Sequence, residues 1–361
     1  MTSGAVLKVC ISCGEASGDL YAGALARELR ALEPDVDIFG FGGQALRAAG
    51  ARLVGDYRGL AVTGLVEAVG VLPRSYAMYR RLVAAARRDR PDVFVAVDFP
   101  DFNFRVAAAM RRLGVPTVYY VSPQLWAWRP GRMRTMRRLA SLVLVIFPFE
   151  EPLYRAAGVP VAFVGHPLVD LARTGGDRSA FLHGLGLAAD APTVALLPGS
   201  RPNEVRAILP ILLAAGRLIE TAVPGAQFVL ARAPSLAGEL FAAAGGPAGP
   251  PVTIVEGCTD EVLAAADVAL VASGTATVQA ALHERPMVIV YRVSPLTYRI
   301  GRPFVRVTTF GMVNLIAGRR VVPELVQEAF TPQAVAGEAV SLLTDAARAA
   351  AVRAALREVR D

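Results

Sequence analysis

The chain has 361 residues, of which 54% are hydrophobic and 19% charged, so it contains ample apolar material for packed cores and its composition excludes a disordered protein. Its length favours two or three domains at about 150 residues each. The net charge of +7 predicts attraction to polyanions, but the arginines are scattered along predicted helices and no nucleic-acid-binding motif is present, which argues against specific nucleic-acid binding.

The first half of the chain alternates short β-branched runs with longer helical patterns, as in a parallel sheet covered by helices. The predicted strands are 7–12, 37–41, 93–97, 117–121, 142–146 and 161–164, and the predicted helices are 19–32, 74–89, 104–113, 132–139 and 150–157. This pattern predicts one doubly wound, Rossmann-like domain over residues 1–170.

The alternation lapses between residues 167 and 192 and then begins again. Strands are predicted at 193–197, 227–230, 253–255, 268–271 and 287–291, each followed by a helix. We therefore predict an α/β protein with a second Rossmann-like doubly wound domain over 171–335 and a C-terminal helical tail over 336–361. We expect the two domains to face each other across a cleft, with ligands at the carboxyl ends of the strands.

Two features of the sequence indicate whether the protein binds a metal and where in the cell it is located. Cys10 and Cys13 form a Cys-x-x-Cys on or beside the first predicted strand rather than in a loop before a helix, so we interpret them as small buried residues and predict no metal site. No apolar run approaches the roughly 18 to 20 residues that span a bilayer, which predicts a cytoplasmic protein without a signal peptide.

The first predicted strand ends in Gly-Glu-Ala-Ser-Gly-Asp, directly before a helix. Glycine permits a tight turn, and the N–H groups of a helix N-terminus attract oxyanions, although the dinucleotide-binding Gly-x-Gly-x-x-Gly is absent. The alternative is a plain strand-to-helix turn in which Ser17 or Asp19 is the N-cap. The candidate residues for the cleft, including the site of a second substrate, are Gly14, Ser17, Gly18 and Asp19. Glu15 at the strand end is a candidate catalytic carboxylate.

Three further motifs follow strands of the first domain. Asp98 comes directly after the apolar run 93–97, where a carboxylate can accept a proton from a substrate hydroxyl, whereas Asp101 suits the capping of a helix that begins near Phe104. Trp126 and Trp128 follow strand 117–121 and can line a ligand or fill a core. His166 closes the last strand and is either structural or part of the cleft.

The second domain carries two turns that suit a nucleotide. Strand 193–197 ends in Pro-Gly-Ser-Arg, where Gly199, Ser200, a helix N-terminus and Arg201 can together neutralise a diphosphate. Strand 268–271 leads into a second small-residue turn before a helix, and its amides and hydroxyls suit phosphate or ribose; its candidate residues are Ser273, Gly274 and Thr275.

An apolar segment lies between residues 60 and 72 and precedes a basic helix that contains Arg74, Arg80 and Arg81. Such a patch rimmed by arginines can hold acyl chains and contact anionic lipid, and the alternative is a buried core helix. The candidate membrane or acyl-chain residues are Val62, Leu65, Val66, Val69 and Leu72.

Six motifs, in this order and spacing, resemble the lipid-A-disaccharide synthase family over nearly the whole chain. They are 14–19 GEASGD, 98–103 DFPDFN, 122–128 SPQLWAW, 165–167 GHP, 197–201 LPGSR and 272–276 ASGTA, and the likeness continues through 314–319 NLIAGR and 322–327 VPELVQ. The resemblance implies a two-domain GT-B glycosyltransferase of lipid A biosynthesis in Gram-negative bacteria, which works peripherally on the inner membrane.

The resemblance also implies a reaction: metal-independent, inverting transfer of 2,3-diacylglucosamine from UDP to the 6-hydroxyl of 2,3-diacylglucosamine 1-phosphate, without a cofactor. It makes Asp98 the candidate base and leaves Glu15 open as the alternative. It also assigns the diphosphate site to Arg201 together with the turns at Gly199 and at 273–275. Further candidate UDP-sugar-binding residues are Asn314, Glu324 and Gln327. One departure is Gln279, where many relatives carry a Glu that accepts hydrogen bonds from ribose.

Two other functions fit the same features. Another UDP-sugar enzyme, such as a UDP-N-acetylglucosamine 2-epimerase or a peptidoglycan-precursor transferase, would share the cleft, and the epimerase would need no acyl-chain surface. A non-enzymatic membrane-associated protein that binds nucleotide sugars would not need Asp98. A homodimer is possible on the sequence.

Overall fold

The computed structural model describes residues 6–57, 65–125, 130–172, 176–246, 249–293, 309 and 311–360, with the backbone alone at 65–71, 130 and 245. The chain divides into two compact units between Pro167 and Leu168. Each unit is built on its own sheet and has its own apolar core.

The first unit contains a seven-stranded, all-parallel sheet in the order β3-β2-β1-β4-β5-β6-β7. Its strands are β1 Lys8–Cys13, β2 Asp37–Gly42, β3 Arg52–Asp56, β4 Val93–Val97, β5 Thr117–Tyr120, β6 Leu142–Val145 and β7 Val161–Phe163. Its helices are α1 Ala16–Leu32, α2 Gln44–Ala48, α3 Leu65–Asp89, α4 Pro100–Arg112, α5 Met133–Leu139 and α6 Glu150–Ala156. The central strands are almost wholly buried because helices cover parallel sheets on both faces.

The second unit contains a six-stranded parallel sheet in the order β10-β9-β8-β11-β12-β13. Its strands are β8 Thr193–Leu197, β9 Gln227–Arg232, β10 Val252–Glu256, β11 Val268–Ala272, β12 Met287–Tyr291 and β13 Glu324–Val326. Its described helices are α7 Leu168–Leu171, α8 Arg178–Gly184, α9 Pro202–Ala222, α10 Thr259–Ala265, α11 Thr275–Leu282, α12 Met312–Ile316, α13 Pro332–Thr344 and α14 Ala346–Arg360.

The α/β class and the two doubly wound sheets agree with the sequence prediction, but two edge strands were not predicted. β3 contains Gly55 and is only partly buried, and β13 is three residues long and starts with the buried Glu324. Edge strands lack the continuous apolar run that identifies a central strand. Among the described helices, none has both the length and the apolar character needed to cross a membrane.

Candidate functional site

The two candidate catalytic carboxylates, Glu15 and Asp98, follow neighbouring parallel strands. Cys13 at the end of β1 pairs with Val97 at the end of β4, so the turns that carry Glu15 and Asp98 leave the sheet side by side. The ring of Phe99 lies where a side chain on Gly14 would be, because a Cβ there would come within 2.1 Å of the Phe99 Cγ. Glycine at position 14 is therefore what allows the two turns to approach this closely.

The backbone at Asp98 has an uncommon conformation. Asp98 and Phe99 both lie in the left-handed region, with φ of 45° and 50°. Two side chains hold the turn, since Tyr119 Oη and Asn103 Nδ2 each donate to the Asp98 carbonyl oxygen at 2.8 Å. Burial raises the pKa of the Tyr119 phenol well above its usual value, with a further contribution from the Asp98 charge, so the phenol stays a donor. Strain of this kind is concentrated at functional sites.

Asn103 is a residue of this site that the sequence analysis missed. It is fully buried, and its amide also donates to the Ser12 and Val97 carbonyls while its Oδ1 accepts from Ser12 Oγ at 2.7 Å. The side chain thus joins the ends of β1 and β4 and the turn at Asp98. An asparagine three residues after the start of a helix, facing a strand end, is the signal that points to such a role.

The alternative interpretation of the first turn made Ser17 or Asp19 the N-cap of the first helix, and the structure shows that neither residue has this role. The helix starts at Ala16, its N-cap is Glu15, and no side chain caps it. Asp19 instead is buried and accepts hydrogen bonds from the Gly43, Ala45 and Leu46 amides at 2.7, 2.8 and 3.2 Å, which places its carboxylate at the N-terminus of α2. Its part in acceptor binding stays a prediction, as do those of Ser17 and the buried Gly18.

The capping role predicted for Asp101 is also wrong, because α4 begins at Pro100 with Phe99 as its N-cap. Asp101 lies in the first turn of the helix and forms an ion pair with Arg132. The earlier start follows from the proline, whose fixed φ suits the first position of a helix.

His166 packs between aromatic rings of the first unit. Its ring centroid lies 5.9 Å from that of Tyr21 in an edge arrangement and 5.6 Å from that of Phe147. Burial lowers the pKa of His166 to about 4, so the imidazole is neutral at pH 7. Trp126 and Trp128 lie outside the described residues.

In the second unit, the turn after β8 is organised by Glu204. Its Oε2 accepts from the Ser200 and Arg201 amides at 3.1 and 3.3 Å, and its Oε1 accepts from Arg201 Nη1 at 2.6 Å. A Cβ on Gly199, whose φ is 119°, would lie 2.7 Å from Glu204 Oε2. The Ser200 and Arg201 amides therefore already have an acceptor in Glu204, and diphosphate binding by Gly199, Ser200 and Arg201 stays a prediction. Glu204 lies three residues after the N-cap Arg201, which is the position of the acid in a capping box and could have been recognised from the sequence.

The turn after β11 differs because no side chain caps the helix that follows. Gly274 is the N-cap of α11 with a φ of 152°, and Ser273 N donates to the Val290 carbonyl. Thr277 bonds back to the Gly274 carbonyl through its amide and its hydroxyl, at 3.0 and 2.8 Å. The amides of Thr275 and Ala276 therefore begin a helix at the carboxyl end of a central strand, which is the arrangement that attracts phosphate.

Asn314, Glu324 and Gln327 are all buried. Asn314 Nδ2 donates to Glu324 Oε1 at 2.7 Å, and Asn314 Oδ1 accepts from the Val321 and Val322 amides. These contacts join α12 to β13. Gln279 Nε2 donates to Asp260 Oδ1 at 2.7 Å.

The apolar segment is described only in part. Val62 lies outside the described residues, as do the side chains of Leu65, Val66 and Val69, although positions 65–71 are helical. Leu72 is 50% exposed, and Tyr76 one turn later is 59% exposed. Arg74 and Arg80 on the same helix are exposed as well.

Comparison with known proteins adds to this geometry. The family model described as lipid-A-disaccharide synthetase matches residues 9–361. The chain is similar to a lipid-A-disaccharide synthase of Koribacter versatilis, with 47% identity over 99% of this chain and 93% of that protein. Among solved structures it is similar to a putative UDP-N-acetylglucosamine 2-epimerase from Listeria monocytogenes (TM-score 0.66, 14% identity, 97% of this chain and 91% of the other). It is also similar to the glycotransferase of kitacinnamycin (TM-score 0.63, 19% identity, 99% and 96%).

Proposed function

The chain belongs to the lipid-A-disaccharide synthetase family, and from this premise we propose how its residues carry out the transfer. The enzyme is a glycosyltransferase of lipid A biosynthesis. The proposed donor is UDP-2,3-diacylglucosamine, and the proposed acceptor is 2,3-diacylglucosamine 1-phosphate. The observation that carries this proposal is the match to the family over nearly the full length of the chain, with the motifs 14–19, 98–103, 197–201 and 272–276 at strand ends.

The proposed chemistry is a single displacement. The acceptor O6 forms a bond to the donor C1 while the bond from C1 to the diphosphate oxygen breaks, and the O6 proton passes to a carboxylate of the enzyme. Attack from the face opposite the leaving group gives the β-1,6 linkage. Asp98 is the proposed base because the left-handed turn and the two hydrogen bonds to its carbonyl fix its position. Glu15 on the neighbouring turn is the alternative.

The leaving UDP gains negative charge as the bond to C1 breaks. We assign its stabilisation to the guanidinium of Arg201 and to the N-terminus of α11 at Thr275, whose turn has no side-chain cap. The Arg201 guanidinium is held by Glu204, which keeps the planar donor group in one orientation. Positive groups that are already oriented stabilise developing charge better than mobile ones.

The first experiment measures UDP release from UDP-2,3-diacylglucosamine by purified protein in detergent with EDTA. The matched acceptors are 2,3-diacylglucosamine 1-phosphate and glucosamine 1-phosphate, which lacks acyl chains. We expect release that depends on the acylated acceptor and survives EDTA. Measurable UDP binding without release would indicate another UDP-sugar enzyme or a binding protein, and release that EDTA abolishes would refute metal independence.

Peripheral membrane association is part of the proposal, and α3 supports it. Leu72, Tyr76 and Arg80 follow one another at four-residue spacing, so two large exposed apolar side chains and a cation lie along one face of the helix. Apolar side chains beside a cation suit an anionic lipid surface.

Sedimentation with vesicles of phosphatidylethanolamine and phosphatidylglycerol tests this part. The double variant L72S/Y76S should reduce the bound fraction, while L32S should not, because Leu32 is 78% exposed but lies on α1. Equal binding of the wild type and both variants would remove α3 from the proposal. The homodimer stays a prediction, and light scattering of the full chain checks it.

A further inference from the structure

The turn that follows β5 lies directly beside the turn that carries Asp98. Tyr120 at the end of β5 pairs with Val97 at the end of β4. The Asp98 amide donates to the Tyr120 carbonyl at 3.2 Å. On the other side, the Val121 amide donates to the Leu144 carbonyl of β6 at 3.1 Å. The peptide group between Tyr120 and Val121 is therefore held on both sides, and one of its two hydrogen bonds is with the backbone of the proposed base.

The chain leaves β5 through a residue with an unfavourable backbone conformation. Val121 has a φ of 56°, which is in the left-handed region. A β-branched residue is a genuine outlier there, because its side chain crowds the backbone. Such a conformation persists only where the surrounding contacts impose it. Groups outside the turn must therefore hold the residues that follow Val121.

Tyr154 on α6 provides such contacts. Its Oη donates to the Pro123 carbonyl at 3.2 Å and is also hydrogen-bonded to Ser122 Oγ. All three residues are buried. Burial also raises the pKa of the Tyr154 phenol above its usual value, so the hydroxyl keeps its proton at neutral pH. One hydroxyl group thus holds two successive residues of the turn.

These contacts and the conformation of Val121 act on the same stretch of backbone. If residues 122 and 123 were released, φ at Val121 would return to an ordinary negative value, and the chain on one side of its N–Cα bond would rotate against the other. Either the turn 122–125 would move, or the peptide group that accepts from the Asp98 amide would change its orientation. The Tyr154 hydroxyl opposes both movements.

The turn also lies where a ligand is expected. It leaves the carboxyl end of β5, beside β4, and parallel sheets bind ligands outside this end of their strands. Tyr154 itself has no exposed surface, so it cannot touch a substrate there. Any effect of Tyr154 on the reaction therefore passes through the turn.

We infer that Tyr154 is a positioning residue for the transfer. Its hydroxyl holds Ser122 and Pro123, keeps Val121 in the left-handed conformation, and so fixes the turn that borders Asp98. The inference rests on the proposed function, because it takes Asp98 to be the base and the acceptor to bind beside it.

The test compares Y154F with the wild type in the UDP-release assay with the acylated acceptor. The substitution keeps the buried ring and removes only the hydroxyl, so Ser122 and Pro123 lose their partner on α6. We expect kcat to fall about ten- to a hundredfold, as for a small misplacement of reacting groups. UDP affinity by calorimetry should be unchanged, because the proposed nucleotide site is in the second unit. Y79F is the matched control, since Tyr79 packs against the core of the same unit and should keep full activity.

A second substitution distinguishes positioning from a general loss of stability. Glycine adopts the left-handed conformation about as readily as the ordinary one, so V121G in the Y154F background should restore most of the lost kcat. V121A removes the same branch atoms but keeps the Cβ, and Y154F/V121A should therefore stay as slow as Y154F. Rescue by glycine alone supports the inference, and any other pattern overturns it.

S122A is the milder variant, because the hydrogen bond from Tyr154 to Pro123 remains. It should lower kcat less than Y154F does. The double variant S122A/Y154F should lie within about twofold of Y154F, because the two hydroxyls act through one contact. Losses that multiply would mean that the hydroxyls act independently, which would contradict the inference.

The wild-type measurement separates this inference from the proposed function. If the wild type transfers and Y154F keeps a near-normal kcat, the role of Tyr154 is overturned and the transferase proposal stands. If Y154F loses UDP affinity together with kcat, the hydroxyl serves the fold in general and the inference is again overturned. If the wild type binds UDP but releases none from the donor, the proposed function fails and the positioning role fails with it.

Discussion

The carboxylate of Asp19 is the feature whose energetic role the structure defines best. It is buried and accepts from three backbone amides at the start of α2, namely those of Gly43, Ala45 and Leu46. A hydrogen bond to a charged acceptor contributes about 1.5 to 3 kcal/mol, and a buried amide left without a partner costs about 1 to 3 kcal/mol. Asp19 therefore links α1 to the chain that follows β2.

Two substitutions at this position should differ in size. In D19N one carboxylate oxygen becomes an amide NH₂, which cannot accept a hydrogen bond. The fewest hydrogen bonds are lost when this NH₂ takes the place of Oδ2, because Oδ2 accepts only from Ala45 N whereas Oδ1 accepts from both Gly43 N and Leu46 N. We expect D19N to lose about 1 to 3 kcal/mol of unfolding free energy, and D19A about 3 to 5 kcal/mol because all three amides lose their acceptor.

Urea unfolding followed by tryptophan fluorescence measures these losses. Both tryptophans, Trp126 and Trp128, belong to the first unit, so their signal reports the unit that contains Asp19. D35N is the control, since Asp35 is exposed and lies just before β2. If D19N unfolds at the same urea concentration as D35N, the carboxylate does not stabilise α2 and the reasoning fails.

The remaining predictions concern catalysis, donor binding and pH. D98N should lower kcat at least about a hundredfold with unchanged UDP affinity, while D101N should keep activity; near-normal turnover of D98N would remove Asp98 from the mechanism. R201A should weaken UDP binding about tenfold or more by calorimetry, and an unchanged affinity would refute its assignment. The pKa of His166 is about 4 in the folded state against 6.5 unfolded, so stability should fall as pH drops from 6.5 toward 4, by at most roughly 3 kcal/mol. H166F should remove that loss, as urea midpoints at pH 7.5 and 5 would show.

The sequence predicted the central strands well because they are short, mainly apolar runs, and β4, β8 and β11 each lead directly into a turn motif. It also placed Asp98, Arg201 and Ser273 at strand ends, where parallel sheets carry their ligands. The roles of polar side chains within the turns were harder to predict. Asp19 serves amides beyond β2, and Asp260 meets Gln279 from a different helix, so both depend on contacts between segments far apart in sequence.

Glu204 shows a different limit of sequence reasoning. The Pro-Gly-Ser-Arg turn has the glycine and the helix start expected of an anion site, yet the acid at the third helical position occupies the amides. An acid in the first turn of a helix competes with any anionic ligand for the same donors. The comparable turn at Gly274 has no such acid in its first turn, and this difference separates two turns that looked alike in sequence.

The C-terminal helix α14 is built into the second unit. Val352 and Leu356 belong to its apolar core, and Arg357 and Arg360 form ion pairs with Glu284 near the end of α11. Without this helix the apolar core would be exposed next to the helix proposed to bind the nucleotide, so a chain that lacks residues 346–360 should lose both the fold of the second unit and its affinity for UDP.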